Sequence, residues 1–208
     1  DMFKGKYHGS QKHPSDFTQI LDRAKQFNVT SMIITAGMEE ETIEAAELAR
    51  SLGIFSTAGT HPTRCNEWTK DGQSPDMYLQ RLKKNIEKYR DVIVAVGECG
   101  LDYDRLFFCP KEQQLKFFPP QILVAAEYKL PLFLHDRNTG DDFFKICTEH
   151  KKAIETAGGG CVHSFTGTAE HLSRLLELGF YISVNGCSFK EEWQLEVAKK
   201  IPLNRLMI

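Results

Sequence analysis

The chain has 208 residues, 41% of them hydrophobic and 26% charged, with a formal net charge of −2. A chain of this length buries enough apolar surface to fold without staples, and its charge excludes a basic protein that coats nucleic acid by charge alone. No window reaches the roughly 20 apolar residues of a membrane span, no secretory leader reads at its start, and six scattered cysteines read as reduced thiols of a cytosolic or nuclear protein rather than a disulfide framework.

In chain order, the first helical pattern places Phe17, Ile20, Leu21, Ala24 and Phe27 on one face, with Ser15 or Asp16 as N-cap. Strands are then expected at 31–36, 55–61, 92–98, 130–135, 160–165, 181–185 and 205–208. Helices are expected between them at about 39–52, 76–89, 111–128, 141–151, 169–178 and 190–200, with a longer loop at 69–74. Gly53 and Gly179 stand where helix C-caps belong. Pro119 and Pro120 interrupt the 111–128 pattern and are expected to kink or end that helix, at roughly 3 kcal/mol or more for a mid-helix proline. Several strands lack polar alternation, and Val92 through Val96 is apolar throughout, which marks a buried parallel sheet. Serial β-α units favour an eight-stranded barrel or an open doubly wound sheet. The spacing of about 31 residues per unit fits an α/β chain built as a (β/α)8 TIM barrel. Seven strands are countable, so the expectation is one domain over 1–208 that lacks the first strand and the end of the last.

Three expected strands end in metal-binding residue types: Glu98, His135 and His163. Parallel strands converge at the C-terminal mouth of a barrel, where active sites are built. Alone, each has a plain alternative as a loop carboxylate or a satisfied histidine; three at equivalent positions point to a divalent cation, with zinc, manganese and magnesium all open. The same mouth would gather His61, Asp102, Arg137, Ser164 and Asn185. His61 reads as a phosphate-orienting group, a metal ligand or a loop histidine stiffened by Pro62. Arg137 reads as a phosphate fork or the partner of Asp136 or Asp141. Ser164 and Gly167 offer donors without forming a Walker-type loop. No C-x-x-C or G-x-S-x-G motif occurs, and Cys99, beside Glu98, reads as buried packing rather than a nucleophile. Phe107, Phe108, Phe117 and Phe118 read as core and rim rather than a base-stacking platform.

The motifs Gly59-Thr60-His61-Pro62, Gly97-Glu98-Cys99-Gly100-Leu101-Asp102, Leu134-His135-Asp136-Arg137 and Val162-His163-Ser164-Phe165-Thr166-Gly167 occur in this order. Asn185-Gly186-Cys187-Ser188 and the Ile201-Pro202 through Ile208 segment continue them. Together they resemble the TatD-type deoxyribonucleases. His61-Pro62-Thr63-Arg64-Cys65 and Asp102-Tyr103-Asp104-Arg105-Leu106 are most similar to the eukaryotic branch of that family. The resemblance implies an amidohydrolase-like metal-dependent barrel and a nuclease acting on DNA and, by extension, RNA. It implies an exonuclease, with magnesium the usual ion and manganese or zinc the alternatives, and a role in DNA repair or apoptotic DNA breakdown in nucleus or cytoplasm.

By that resemblance Glu98, His135 and His163 hold one or two metal ions, and Glu98 and Asp102 are the catalytic carboxylates. His61, Arg137, Ser164 and Asn185 would bind substrate. The family's last ligand, an aspartate in a Glu-Thr-Asp sequence, is expected just past Ile208. Asp136, where the family carries a small or thiol residue, is expected to add charge beside the metal. No membrane and no obligate protein partner are implied. The rival readings are a barrel hydrolase of aminoacyl-tRNA or small amides and esters, and a truncated, catalytically silent isoform.

Overall fold

The computed structural model describes residues 5–7 and 10–208. They fall into two compact units, Asp1–Met32 and Ile33–Ile208. In the first, β1 (Lys6–Tyr7) and β2 (Ser10–Gln11) form an antiparallel ribbon, followed by α1 (Phe17–Gln26) with Asp16 as its N-cap residue. The expected apolar stripe is only half-buried at Phe17, Ile20, Leu21 and Ala24, and Phe27 is exposed.

The second unit alternates strands and helices. Its strands are β3 (Ile33–Ile34), β4 (Phe55–Ala58), β5 (Ile93–Asp102), β6 (Leu132–Arg137), β7 (Gly160–Val162), β8 (Tyr181–Ser183) and β9 (Leu206–Met207). They form one sheet in the order β3-β4-β5-β6-β7-β8-β9, and every pairing is parallel. This is the curled sheet of a (β/α)8 barrel, with each neighbour pair joined by a helical crossover. The crossovers are α2 (Glu39–Leu52), α3 (Pro75–Lys88), α4 (Lys111–Tyr128), α5 (Asp142–Glu149), α6 (Lys151–Ala157), α7 (Ala169–Glu177) and α8 (Glu192–Ala198). Gly53 closes α2 in the left-handed conformation, as expected, whereas the residue that caps α7 is Leu178 and Gly179 follows it at φ 82°.

Four local expectations change. The strands at 31–36, 55–61, 160–165, 181–185 and 205–208 are shorter, at 33–34, 55–58, 160–162, 181–183 and 206–207. β5 is longer: Cys99 through Asp102 stay paired with β6, up to Asp102↔Arg137. Residues 69–72, read as loop, are so only in part: Thr69 continues the 3-10 run that starts at Pro62, whereas Lys70 and Asp71 break it with non-helical backbone angles. Finally, α4 runs through Pro119 and Pro120. Phe117, Phe118, Gln121, Ile122, Val124 and Ala125 are buried around the prolines. At about 1.5–3 kcal/mol per large apolar side chain, that burial outweighs the lost ladder bonds.

The core lies between sheet and helices. Trp68 stacks between Tyr78 and Phe117, at centroid separations of 4.9 and 4.7 Å. Phe118 stacks on Phe143 at 5.5 Å. Gln121 stitches α4 to the segment before His61, accepting from Thr60 N–H at 2.7 Å and donating to the Thr60 carbonyl at 3.2 Å. That brace fixes where His61 enters the mouth.

Candidate metal centre

Glu98 lies inside β5, not at its end. The β5–β6 register shifts between Gly97 and Cys99, and the Glu98 N–H leaves the ladder to donate to the Ala36 carbonyl at 3.0 Å. Both flanking glycines are required. Gly97 has φ 151° and Gly100 φ 138°, and a Cβ on either would collide with β6 backbone, at Phe133 and His135 respectively. The bulge so formed aims Glu98 at the C-terminal mouth.

Its Oε1 is the focus of three imidazoles. His163 Nε2 lies 2.6 Å away, His135 Nδ1 2.9 Å and His61 Nε2 3.3 Å. Burial alone would raise the Glu98 pKa, but hydrogen bonds from His135, His163 and His61 outweigh it and hold the carboxyl far below the usual range. His135 is opposed by burial and favoured by Asp102 and Glu98, and its pKa ends above the ordinary value.

The three histidines differ in what their other nitrogens do. His135 Nε2 meets the Asp102 Oδ2 at 3.0 Å. Both ring nitrogens thus face carboxylates, which accept; a cation seated at Glu98 would take the place of the Nδ1 proton, leaving Nε2–H to donate to Asp102. His163 Nδ1 meets Ser164 Oγ at 3.0 Å, and Asn185 Nδ2 donates to the same hydroxyl at 2.6 Å. His61 is opposite in kind. Its Nδ1 accepts the Thr63 backbone N–H at 3.1 Å, so the proton of the neutral ring sits on Nε2. His61 is therefore built as a donor toward Glu98.

Glu98, His135 and His163 offer one carboxylate oxygen and two ring nitrogens, all within 4.8 Å of one another. Two imidazoles and a carboxylate, each ligand ring backed by a second group, fit a divalent cation. A second triplet, His61, Asp102 and His135, also meets the distance test. The His61 tautomer and the engagement of Asp102 weigh against it.

Asp102 was expected to be a catalytic carboxylate at the mouth. It does end β5 at the mouth against His135, fully buried, and accepts from His135, from the Asp104 N–H at 3.1 Å and from Arg105 at 3.3 Å. Arg137 ends β6, two residues past His135, and lines a groove of about 830 Å³ together with Arg105, Asp136 and His171. The acids expected to compete for it are engaged elsewhere: Asp141 with Arg174 at 2.7 Å and Asp136 with His171 at 2.7 Å. Asp136 also does not add charge beside Glu98. Strand alternation turns it to the other face of β6, where Thr139 donates to its second oxygen at 2.6 Å. His171 carried no sequence signal, since α7 had to be placed against β6 before the pair existed.

The five described cysteines are free and buried. Cys99 is inert, its thiol pushed well up by burial and by the Glu98 charge. Among the described residues, no helix is long and apolar enough to cross a membrane.

A family model described as TatD related DNase matches residues 7–208. The chain is 42% identical over 210 residues to a Schizosaccharomyces pombe protein named Deoxyribonuclease Tat-D, covering 100% of this chain and 67% of that protein. It is 34% identical over 204 residues to a 3'-5' ssDNA/RNA exonuclease TatD of Rahnella, covering 96% and 73%. The crystal structure of a hydrolase TatD family protein from Entamoeba histolytica superposes with a TM-score of 0.85 at 36% identity, over 100% of this chain and 69% of that one. The chain thus spans about two thirds of the length of the relatives it matches.

Proposed function

The chain belongs to the TatD-related DNase family, and from that premise we propose that it is a metal-dependent deoxyribonuclease whose centre is built on Glu98, His135 and His163. The observation that carries this reading is the convergence of three imidazoles on one Glu98 oxygen at the mouth of a parallel barrel. The finer part of the reading is an exonuclease with magnesium as its ion, taking single-stranded DNA and also RNA. The name of the Rahnella relative supports that substrate class. A place in DNA repair or DNA breakdown, in nucleus or cytoplasm, follows as part of the same reading.

Glu98 Oε1, His135 Nδ1 and His163 Nε2 would hold the ion. When bound, a divalent cation neutralises charge on the phosphoryl group and lowers the pKa of an attacking water. The chain's own groups do the rest. Asp102 takes the His135 Nε2 proton in a hydrogen bond and fixes that ring's rotation, so it is a positioning residue. Ser164, oriented by Asn185, does the same for His163 when the ring's Nδ1–H donates to its hydroxyl. His61 presents Nε2–H to a non-bridging phosphate oxygen at the site where it now meets Glu98. Arg137 offers a two-pronged donor to a neighbouring phosphate from the groove wall.

The test is shortening of an end-labelled DNA oligonucleotide with magnesium or manganese, set against a chelator control. The expected result is metal-dependent, stepwise shortening that Glu98→Ala reduces to the chelator level while circular dichroism stays unchanged. Full activity in Glu98→Ala would overturn the assignment. Turnover of aminoacyl-tRNA or small esters with intact DNA would favour the amide and ester reading, since the same cage serves those bonds.

A further inference from the structure

The loop between β5 and α4, which starts at Asp102 beside His135, exposes two aromatic side chains. Phe107 is 77% exposed and Phe108 59%, with ring centroids 4.3 Å apart and planes tilted by 41°. Their sequence companions Phe117 and Phe118 are 2% and 0% exposed. The four phenylalanines, read together as core and rim, therefore divide: two fill the core and two stand in solvent.

The exposed pair does not sit on a slack loop. Before it, Asp102 accepts the Asp104 N–H and the Arg105 guanidinium, while Tyr103 N–H donates to the Arg137 carbonyl at 3.0 Å. Within it, Phe108 N–H closes a turn onto the Arg105 carbonyl at 3.0 Å. After it, Asn66 Nδ2 donates to the Phe108 carbonyl at 3.0 Å, and Gln114 Nε2 donates to the Cys109 carbonyl at 2.9 Å. β5, β6, α4 and the 62–72 segment all hold the loop, yet both rings are left in water. Two rings held open at such a cost in hydration mark a contact surface. Asp102, which anchors this loop, is also the residue that orients His135. Arg105, two residues before Phe107, lines the groove together with Arg137.

We propose that Phe107 and Phe108 form a stacking platform for unpaired nucleobases, with Arg105 and Arg137 taking the adjoining phosphates. The proposal rests on the nuclease reading above and commits to a single-stranded polynucleotide as occupant. Aromatic faces next to guanidinium groups form the recognition set for single strands, because every base has a π-face and every nucleotide a phosphate. A paired duplex keeps its bases stacked internally and has none to offer. The pair therefore selects frayed or unpaired ends at the centre.

The experiment uses the full chain in chelator, so that nothing is cleaved. Fluorescence anisotropy measures binding of a labelled single-stranded oligonucleotide and of the same strand with abasic sites. The expected result is that the wild type binds the strand carrying bases roughly tenfold or more tightly, as one or two stacks provide. In Phe107→Ala/Phe108→Ala that preference is lost and both strands bind at the abasic level. Phe107→Trp/Phe108→Trp retains the preference. Shortening of the abasic strand with manganese, a chain of phosphodiesters without aromatic groups, reports the centre separately and is unchanged in the alanine variant.

A preference for bases that survives the alanine changes overturns the proposal. So does a wild type that binds neither strand. Sedimentation showing a dimer that the alanine variant dissolves would assign the pair to a second copy of the chain instead. Lost preference in a protein whose wild type cleaves neither the strand with bases nor the abasic strand would retain the platform and defeat the nuclease reading. The two failures are therefore distinguishable.

Discussion

Strand β6 carries two carboxylate–histidine clusters on its two faces, and they are built for different ends. On the face of His135, one Glu98 oxygen gathers three imidazoles. On the face of Asp136, each carboxylate oxygen has one partner, His171 at 2.7 Å and Thr139 at 2.6 Å. The second cluster is saturated. It ties the first turn of α7 and the loop after β6 together, and no triplet of ligand types includes it among the described residues. Adjacent residues of one strand thus serve chemistry and architecture. What separates them is how many donors converge on one oxygen, since a carboxylate beside a histidine occurs in both.

The sharpest way to break this contrast is to remove one imidazole from each side. His163→Ala is expected to weaken manganese binding by a hundredfold or more, because it deletes a ligand outright, and to abolish DNA cleavage. His171→Ala is expected to leave manganese affinity unchanged in the same calorimetric titration. Equal losses in the two variants would mean that both faces bind metal.

The next comparison exchanges the carboxylates for amides. Asp102→Asn exchanges the charged acceptor that orients His135 for a neutral amide that can also turn its NH2 toward the ring, and such supporting partners are worth about 10- to 100-fold in metal affinity. Asp136→Asn is expected to keep metal affinity and instead cost about 1–3 kcal/mol of stability in urea denaturation, the penalty for disturbing a buried hydrogen-bonded group. A metal effect at Asp136 that matches the one at Asp102 would return Asp136 to the place that sequence reasoning gave it, beside the cation.

How much was legible follows from the same residues. Glu98, His135 and His163 could be found because each follows an apolar run, and such runs in parallel sheets end near a common mouth. His61 entered as a substrate or metal residue; its tautomer was hidden, because that depends on the Thr63 N–H two residues on. Asp102 was read at the mouth, where β5 does end, but the length of β5 cannot be read from hydrophobicity once glycines interrupt it. Its burial against His135 shows only when the β5–β6 register is known. The His171–Asp136 pair spans two elements and leaves no local pattern. Propensity failed at α4, where packing on either side of Pro119 and Pro120 overrode two helix breakers. The exposure of Phe107 and Phe108, against the burial of Phe117 and Phe118, is likewise a tertiary result.

The smallest effect concerns how His61 is held, in contrast with His171. His61 follows Thr60, whose hydroxyl shares a 3.0 Å hydrogen bond with Tyr78 OH; the same phenol oxygen accepts the Glu39 N–H at 3.0 Å. Burial raises the Tyr78 pKa from 10.0 to about 12, against the lowering effect of those hydrogen bonds. The folded pKa lies above the unfolded one, so the contribution is fully present below pH 10 and is lost as pH rises through the folded value. By pH 11 the loss should be about 1.4 kcal/mol, one unit of difference in proton affinity. Tyr78→Phe is expected to be less stable than wild type at pH 8, because Thr60 and Glu39 lose a partner, but to lose less on going to pH 11. Parallel stability curves for the two proteins would show that the phenol is not what braces His61. A converging pair would tie the third imidazole of the Glu98 cluster to the core cluster of Trp68, Tyr78 and Phe117, a tether that His171 on α7, whose ring is held by Asp136 of β6, does not share.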